Sequence, residues 1–319
     1  MDNNKGEFLL PLFFIGLFIL VATAVLTSTC RTNRSKPQIP YPKPDLLVET
    51  LQVDLPDLSP GAKPLTFILV RPGTFTMGSP SDEPGRSEND WPAHQVTISK
   101  PFYLGTCEVT QAQWKTLMSK NPSYFKDRPD HPVEKVTWRK CQLFIDKLNQ
   151  LGLGTFRLPT EAEWEYACRA GTTARFYFGD APSCTSDSQC EQADEFMWWA
   201  GNNYPDGPKE VGIKPANPWG LHDMHGNVHE WCADRWQDPY PREAQIDPLG
   251  PQWGSRFLLL WTNRVARGGC FEHGGLNHCR SAYRFYEQAL DYYCGLGFRL
   301  VREADETCLK EKTDDKETI

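Results

Sequence analysis

The run Trp219-Gly-Leu-His-Asp-Met-His-Gly-Asn-Val-His-Glu-Trp231 sets histidines, carboxylates and glycines between two indoles. His222, His225 and His229 are spaced by three and four. On a helix that spacing aligns imidazoles on one face as zinc ligands, with Glu230 free to act as a base. Gly226-Asn227 breaks such a helix, so the histidines lack the frame that zinc chemistry needs. The oxygens offer more: Asp223 and Glu230, with backbone carbonyls turned outward at Gly226, are hard donors of the kind calcium takes.

A second group follows the Gly268-Gly269 pair, in Cys270-Phe-Glu-His273-Gly-Gly-Leu-Asn-His278-Cys279. A thiolate with two imidazoles, Cys270, His273 and His278, suits copper or iron and oxidative chemistry. The competing reading makes Cys270 a small buried residue under the turn and leaves both histidines in solvent on a glycine-rich loop. Cysteine is abundant, at 11 residues. Cys184 and Cys190 flank the short polar loop Thr185-Ser-Asp-Ser-Gln189, which a disulfide would close, and that favours an exported protein. Cys141 and Cys232, among apolar neighbours, read as buried thiols.

The elements that must position these residues are legible in parts. Leu65-Thr-Phe-Ile-Leu-Val-Arg71, Gln95-Val-Thr-Ile-Ser99 and Phe102-Tyr-Leu-Gly105 read as strands. Val109 to Met118, with Thr110 as cap, reads as a helix, and Trp138 to Leu151 repeats the pattern through Cys141, Phe144, Ile145 and Leu148, with Gly152 as its stop. Thr160-Glu-Ala-Glu163 is a capping box that opens a third helix carrying Trp164 and Cys168 on one face. Beyond Ala170 periodicity fades, and Phe257-Leu-Leu-Leu-Trp261 is one of the few strand candidates. The fold class expected is α+β with much irregular structure, its loops held by aromatics, disulfides or ions.

With 319 residues, 39% apolar content and 11 Trp, the chain can bury a large core. A net charge of −7 and the lack of basic runs interleaved with aromatics exclude a nucleic-acid surface. Residues 8–26 are apolar and nearly uncharged, long enough for a bilayer. Two readings of 1–30 stand, a retained signal anchor or a bacterial lipoprotein signal with acylation of Cys30. The basic residues Arg31, Arg34 and Lys36 after the span pull the other way on topology, while cysteine usage favours a domain facing the periplasm or exterior. Residues 31–61 read as a Pro-rich tether, 62–303 as the globular domain and 304–319 as a charged tail.

The blocks Arg157-Leu-Pro-Thr-Glu-Ala-Glu-Trp-Glu-Tyr166, Trp219 to Trp231, Arg267-Gly-Gly269 and Gly297-Phe-Arg299 together resemble the formylglycine-generating enzyme (sulfatase-modifying factor) family. Gly73-Thr-Phe-Thr-Met-Gly-Ser79, Glu108-Val-Thr-Gln111 and Pro132-Val-Glu-Lys-Val-Thr-Trp138 extend the resemblance over roughly residues 65 to 302. It implies a C-type-lectin-like fold, a structural calcium at Asp223, Gly226, Val228 and Glu230, and a disulfide between Cys168 and Cys279. A second calcium loop of the family would fall near Asn202, where this chain is too short to carry it over. His222 and His229 stand where the pattern has aromatics.

The resemblance also implies oxidation of a substrate cysteine to formylglycine with O2 and a copper held by two cysteines. Here the paired thiolates are missing. Cys270 stands where a serine is usual, and His273 and His278 align loosely with the expected cysteines. Two functions follow: a membrane-tethered oxidase of protein cysteine or a small thiol that uses Cys270, His273 and His278, or a non-catalytic, calcium-stabilised binding or scaffold module. This fold hosts both.

Overall fold

The structure, a computed structural model, describes residues 48–181, 184, 189–252 and 262–304. The apolar segment, Cys30, the first part of the tether, most of the charged tail and the strand expected at Phe257 to Trp261 lie outside the described residues.

Strands β1 (Thr50–Val53), β2 (Leu65–Val70), β3 (Gly73–Met77), β4 (His94–Ile98) and β5 (Phe102–Gly105) precede helices α1 (Gln111–Leu117) and α2 (Trp138–Gln150). Next come β6 (Phe156–Arg157), α3 (Glu161–Arg169) and the short helices α4 (Glu191–Phe196) and α5 (Ala200–Asn203). The chain continues through β7 (His229–Arg235), β8 (Gln245–Ile246), β9 (Asn263–Arg267), β10 (Phe285–Gln288), β11 (Leu296–Gly297) and β12 (Val301–Glu303). Three sheets result, ordered β1-β2-β5-β12-β6, β10-β9-β7-β11 and β3-β4-β8.

Both faces of the largest sheet are covered, and the period of two in its strands sorts the side chains. Leu65, Phe67 and Leu69 of β2 and Tyr103 of β5 enter one core with Cys141, Phe144, Ile145 and Leu148 of α2. Ile68, Val70, Phe102 and Leu104 enter a second core with Trp164, Ala167 and Cys168 of α3. The helices begin where side chains satisfy their free amides. Thr110 with Gln113, and Thr160 with Glu163, each form a reciprocal capping box, and Thr137 caps α2. Trp114 of α1 stacks on Phe144 of α2 with ring centres 5.4 Å apart.

One expectation changes. Strand β1 falls inside the segment read as tether and pairs antiparallel with β2, and Val53 and Leu55 are buried. Prolines flanking a short strand mask its pattern, and folded structure starts upstream of residue 62. After Ala170, where periodicity fades, a third core forms from Phe176, Tyr177, Phe178, Phe196, Met197 and Trp199. Aromatic packing there takes the place of long elements.

Candidate functional site

The run from Trp219 to Trp231 is a loop that turns into β7. Its three histidines have separate partners. His222 donates from Nδ1 to the Lys214 carbonyl at 2.8 Å. His225 is buried, donates from Nδ1 to the Cys279 carbonyl at 2.7 Å and accepts from the Tyr177 amide at 3.0 Å. Burial holds it neutral by pushing its pKa down to about 3. His229 meets the Tyr293 hydroxyl at 2.8 Å, and burial also takes its pKa to about 3. Among the described residues no three His, Cys, Asp or Glu side chains are grouped to hold a metal ion. The tri-histidine zinc arrangement is therefore not assembled.

The oxygens in the same loop are arranged differently from the expected calcium set. Glu230 accepts from Trp164 Nε1 at 2.8 Å and takes two hydrogen bonds of 2.6 Å from Arg299, through Nε and Nη2. Its charge is balanced by the Arg299 guanidinium. Asp223 accepts from the Gly212 amide at 2.7 Å through Oδ2, while its Oδ1 is buried without a partner. Glu108 accepts from Asn227 Nδ2 at 3.1 Å, and its Oε2 is likewise buried without a partner. Burial first pushes both carboxyls above the ordinary range; the Asp223 and Glu230 charges add to the shift of Glu108, and the Glu230 charge adds to that of Asp223. A pair of buried, unsatisfied hard oxygens fits a cation as well as a proton. Gly226 and Val228 belong to the same turn: the Gly226 amide donates to the Gly268 carbonyl at 2.7 Å, and Val228 is fully buried.

That bond ties the loop to the Gly268-Gly269 turn, where both glycines have positive φ, +100° and +74°. A Cβ on Gly269 would sit 2.5 Å from Cys279 Sγ, so only glycine lets the chain pass. Cys270 follows, buried, with its thiol pushed up to about 12 by burial and its Sγ 3.9 Å from His273 Nδ1. His278 stacks flat on Tyr283, ring centres 4.3 Å apart. The structure thus brings Cys270 to His273 and packs His278 on an aromatic ring. Two residues missed by sequence reasoning stand beside them. Cys294 is 3.1 Å from both oxygens of Glu272, and Glu272 is 3.4 Å from His273 Nδ1. Glu134, whose Oε2 is buried without a partner, is pushed up to about 7, chiefly by burial, with Glu272 adding to the shift. The available signal was Cys294 itself, directly before Gly295-Leu-Gly-Phe-Arg299 but far along the chain from Cys270.

Cys168 and Cys279 are buried free thiols, which departs from the disulfide the resemblance implied. His225 occupies their surroundings, with Cys168 Sγ 3.8 Å from Nδ1 and the Cys279 carbonyl bound to that same nitrogen. Cys184 and Cys190 face each other across the short polar loop, with Cα atoms 5.0 Å apart. Cys190 also caps α4, its Sγ accepting from the Ala193 amide at 3.2 Å.

The model of the sulfatase-modifying factor enzyme 1-like domain matches residues 55–304. The chain is 31% identical to the chaperone protein LppX of Paenibacillus barcinonensis over 66% of its own length and 85% of that protein. It is 35% identical to the formylglycine-generating enzyme of Thermomonospora curvata, with 55% of each chain covered, so the match spans about half of that relative. Among solved structures it is similar to Treponema denticola variable protein 1, with a TM-score of 0.67 and 24% identity, over 81% of this chain and 100% of the other. Capped helices flanking a five-stranded sheet, the glycine-turned loop into β7 and a family match over most of the described residues agree: this chain belongs to the sulfatase-modifying factor (formylglycine-generating enzyme-like) family and has its C-type-lectin-like α+β fold.

Proposed function

We propose that this protein is a membrane-tethered oxidase acting on protein cysteine or a small thiol, with its reacting centre below the Gly268-Gly269 turn. The observation that carries this is the approach of Cys270 to His273, with Glu272 beside them. A thiol and an imidazole are donors that fit copper, which when bound supplies electron transfer from a thiol to O2. The chain's own contribution is positional. Gly268 and Gly269 fix the Cys270 backbone, His273 presents a largely exposed ring at the mouth, and Glu272 can take a thiol proton. Asp223 and Glu108 would hold a structural calcium whose charge satisfies their unpaired oxygens, with carbonyls of the Gly226 turn as further donors. The apolar segment at 8–26 would anchor the domain outside the cytoplasmic membrane, directly or through a lipid on Cys30.

Copper analysis of the purified full chain tests the oxidase. Stoichiometric copper lost in Cys270→Ser, together with O2 uptake in the presence of a thiol peptide, supports it. Protein that binds no copper and consumes no O2 with such peptides is instead a binding module. Mass spectrometry of the mature N-terminus separates an acylated Cys30 from an intact anchor.

A further inference from the structure

Arg235 at the end of β7 and Arg264 on β9 stand directly opposite each other. The pairing that sets Glu230 against Arg267 and Trp231 against Ala266 would, if continued, bring Arg235 to Thr262. A register shift after Trp231 brings it to Arg264 instead. Like charges facing each other across a ladder are destabilising, and such a breach of local rules is expected where a site needs it.

No carboxylate offsets the pair. Among the described residues no ion pair includes Arg235 or Arg264, and the buried Nη1 of Arg235 and Nε of Arg264 lack hydrogen-bond partners. Arg264 is only 6% exposed and is firmly held: its guanidinium carbon lies 3.9 Å from the centre of the Trp138 ring, and its Nη1 donates to the Ala233 carbonyl at 2.7 Å. Burial, then the charge of Arg235, lower its pKa to about 10, as expected of a cation without its counter-ion. The neighbouring Asp234 supplies little negative charge at neutral pH. Its carboxyl accepts from the Glu161 amide at 2.8 Å, and burial above all pushes its pKa up to about 8.

Both arginines line a cavity of about 290 Å³, and no carboxylate lines it among the described residues. Gln252 holds one wall in place, its Nε2 donating to the carbonyls of Leu249 at 2.8 Å and Gly250 at 3.2 Å. The Thr160 hydroxyl, also at the cavity, accepts from the Glu163 amide at 3.1 Å and keeps its own proton to donate. In a chain of net charge −7, a cavity walled by two guanidiniums and no acid selects for an anion.

We propose that this cavity binds a tetrahedral oxoanion, either inorganic phosphate or a small phosphate monoester, between Arg235 and Arg264, with Thr160 as a hydroxyl donor. The planar fork of a guanidinium matches two phosphate oxygens at once, and the anion supplies the counter-charge that the pair lacks. The volume lies at the small end of ligand pockets, roughly 300–1,000 Å³, which suits a compact ester better than a nucleotide. The site is formed by β7, β9 and the loop from Leu249 to Gln252, and its occupancy is independent of the copper reading.

The experiment is calorimetric titration of the full chain in detergent with inorganic phosphate and with phenyl phosphate, against sodium chloride at matched ionic strength. Saturable binding of either phosphate compound above the chloride response is expected; tighter phenyl phosphate identifies an ester site, and tighter inorganic phosphate a site for the free ion. Arg264 is buried, so the partly exposed Arg235 carries the mutational test. Arg235→Gln should weaken binding by roughly 10- to 100-fold, the loss expected for a hydrogen bond to a charged group. Arg86→Gln, which removes the same charge from an exposed position, should bind like the parent. Without ligand, Arg235→Gln should melt no lower than the parent, because it relieves the repulsion with Arg264. Unmutated protein gives a further readout: phosphate should shield Arg235 from phenylglyoxal, scored by peptide mass spectrometry. A phosphate response no greater than that of chloride, equal binding in Arg235→Gln and Arg86→Gln, or unchanged phenylglyoxal labelling of Arg235 overturns the inference.

Discussion

Arg299 grips Glu230 through two parallel hydrogen bonds of 2.6 Å, Nε to Oε2 and Nη2 to Oε1, where neither side chain touches solvent. The guanidinium reaches further, to the carbonyls of Gly105 and His222, so it ties β5 and the histidine-bearing loop to β7. Removing one partner strands the other charge in the interior. Arg299→Met should cost about 3–5 kcal/mol in urea unfolding. The double variant Arg299→Met with Glu230→Gln should recover part of that loss, because no uncompensated charge then remains. A loss in the double variant equal to the sum of the losses in Arg299→Met and Glu230→Gln would show that the pair is not coupled.

Calcium dependence separates two ligand sets. If Asp223 and Glu108 hold the ion, calcium at a hundred times its dissociation constant stabilises the fold by about 2.7 kcal/mol, and a chelator lowers the melting temperature accordingly. Asp223→Asn and Glu108→Gln should each lose that response, whereas Glu230→Gln, already committed to Arg299, should keep it. Indifference of the parent to chelator removes calcium from the description.

Asp234 gives a pH signature. Its carboxyl is buried, accepts from the Glu161 amide at 2.8 Å, and is pushed up to about 8 by burial and then by the Glu161 charge. A carboxyl raised in the folded state keeps its proton there while the unfolded chain loses it near pH 4. Its contribution is therefore complete below about pH 4 and is lost as pH rises to about 8, at about 1.4 kcal/mol per pH unit. Urea titrations at pH 5 and pH 8 should show a smaller stability difference in Asp234→Asn than in the parent. An unchanged difference contradicts the assignment.

Gly226 has no room for a side chain. Its φ is +84°, and a Cβ would fall 2.1 Å from the Trp198 carbonyl oxygen. Gly226→Ala should destabilise the fold by clearly more than about 1 kcal/mol, since both the backbone region and the contact oppose it. A thermal midpoint within a degree of the parent would mean that Trp198 yields.

What could be read in advance follows the range of the forces involved. Thr110 and Thr160 announce their helices because capping is decided within four residues. Cys141, Phe144, Ile145 and Leu148 announce the buried face of α2 by periodicity alone. Strand β1 was hidden by its prolines and reveals itself only against β2. Around the candidate centre, Cys270 and His273 are neighbours in sequence and in space, so their approach was visible. Cys294 and Glu134 reach Glu272 through the pairing of β11 with β7 and the fold of the loop before α2, which no local pattern encodes. The grip of Arg299 on Glu230 joins residues far apart in the chain, so no local pattern announced it.

Strand β1 opens the described fold and β12 closes it, and only β2 and β5 stand between them in one sheet. Entry and exit therefore lie in a single hydrogen-bonded layer, β1 at its edge and β12 between β5 and β6. A unit closed in this way can be spliced between longer partners, or hung from a tether, without its glycine-turned loops being drawn out of shape.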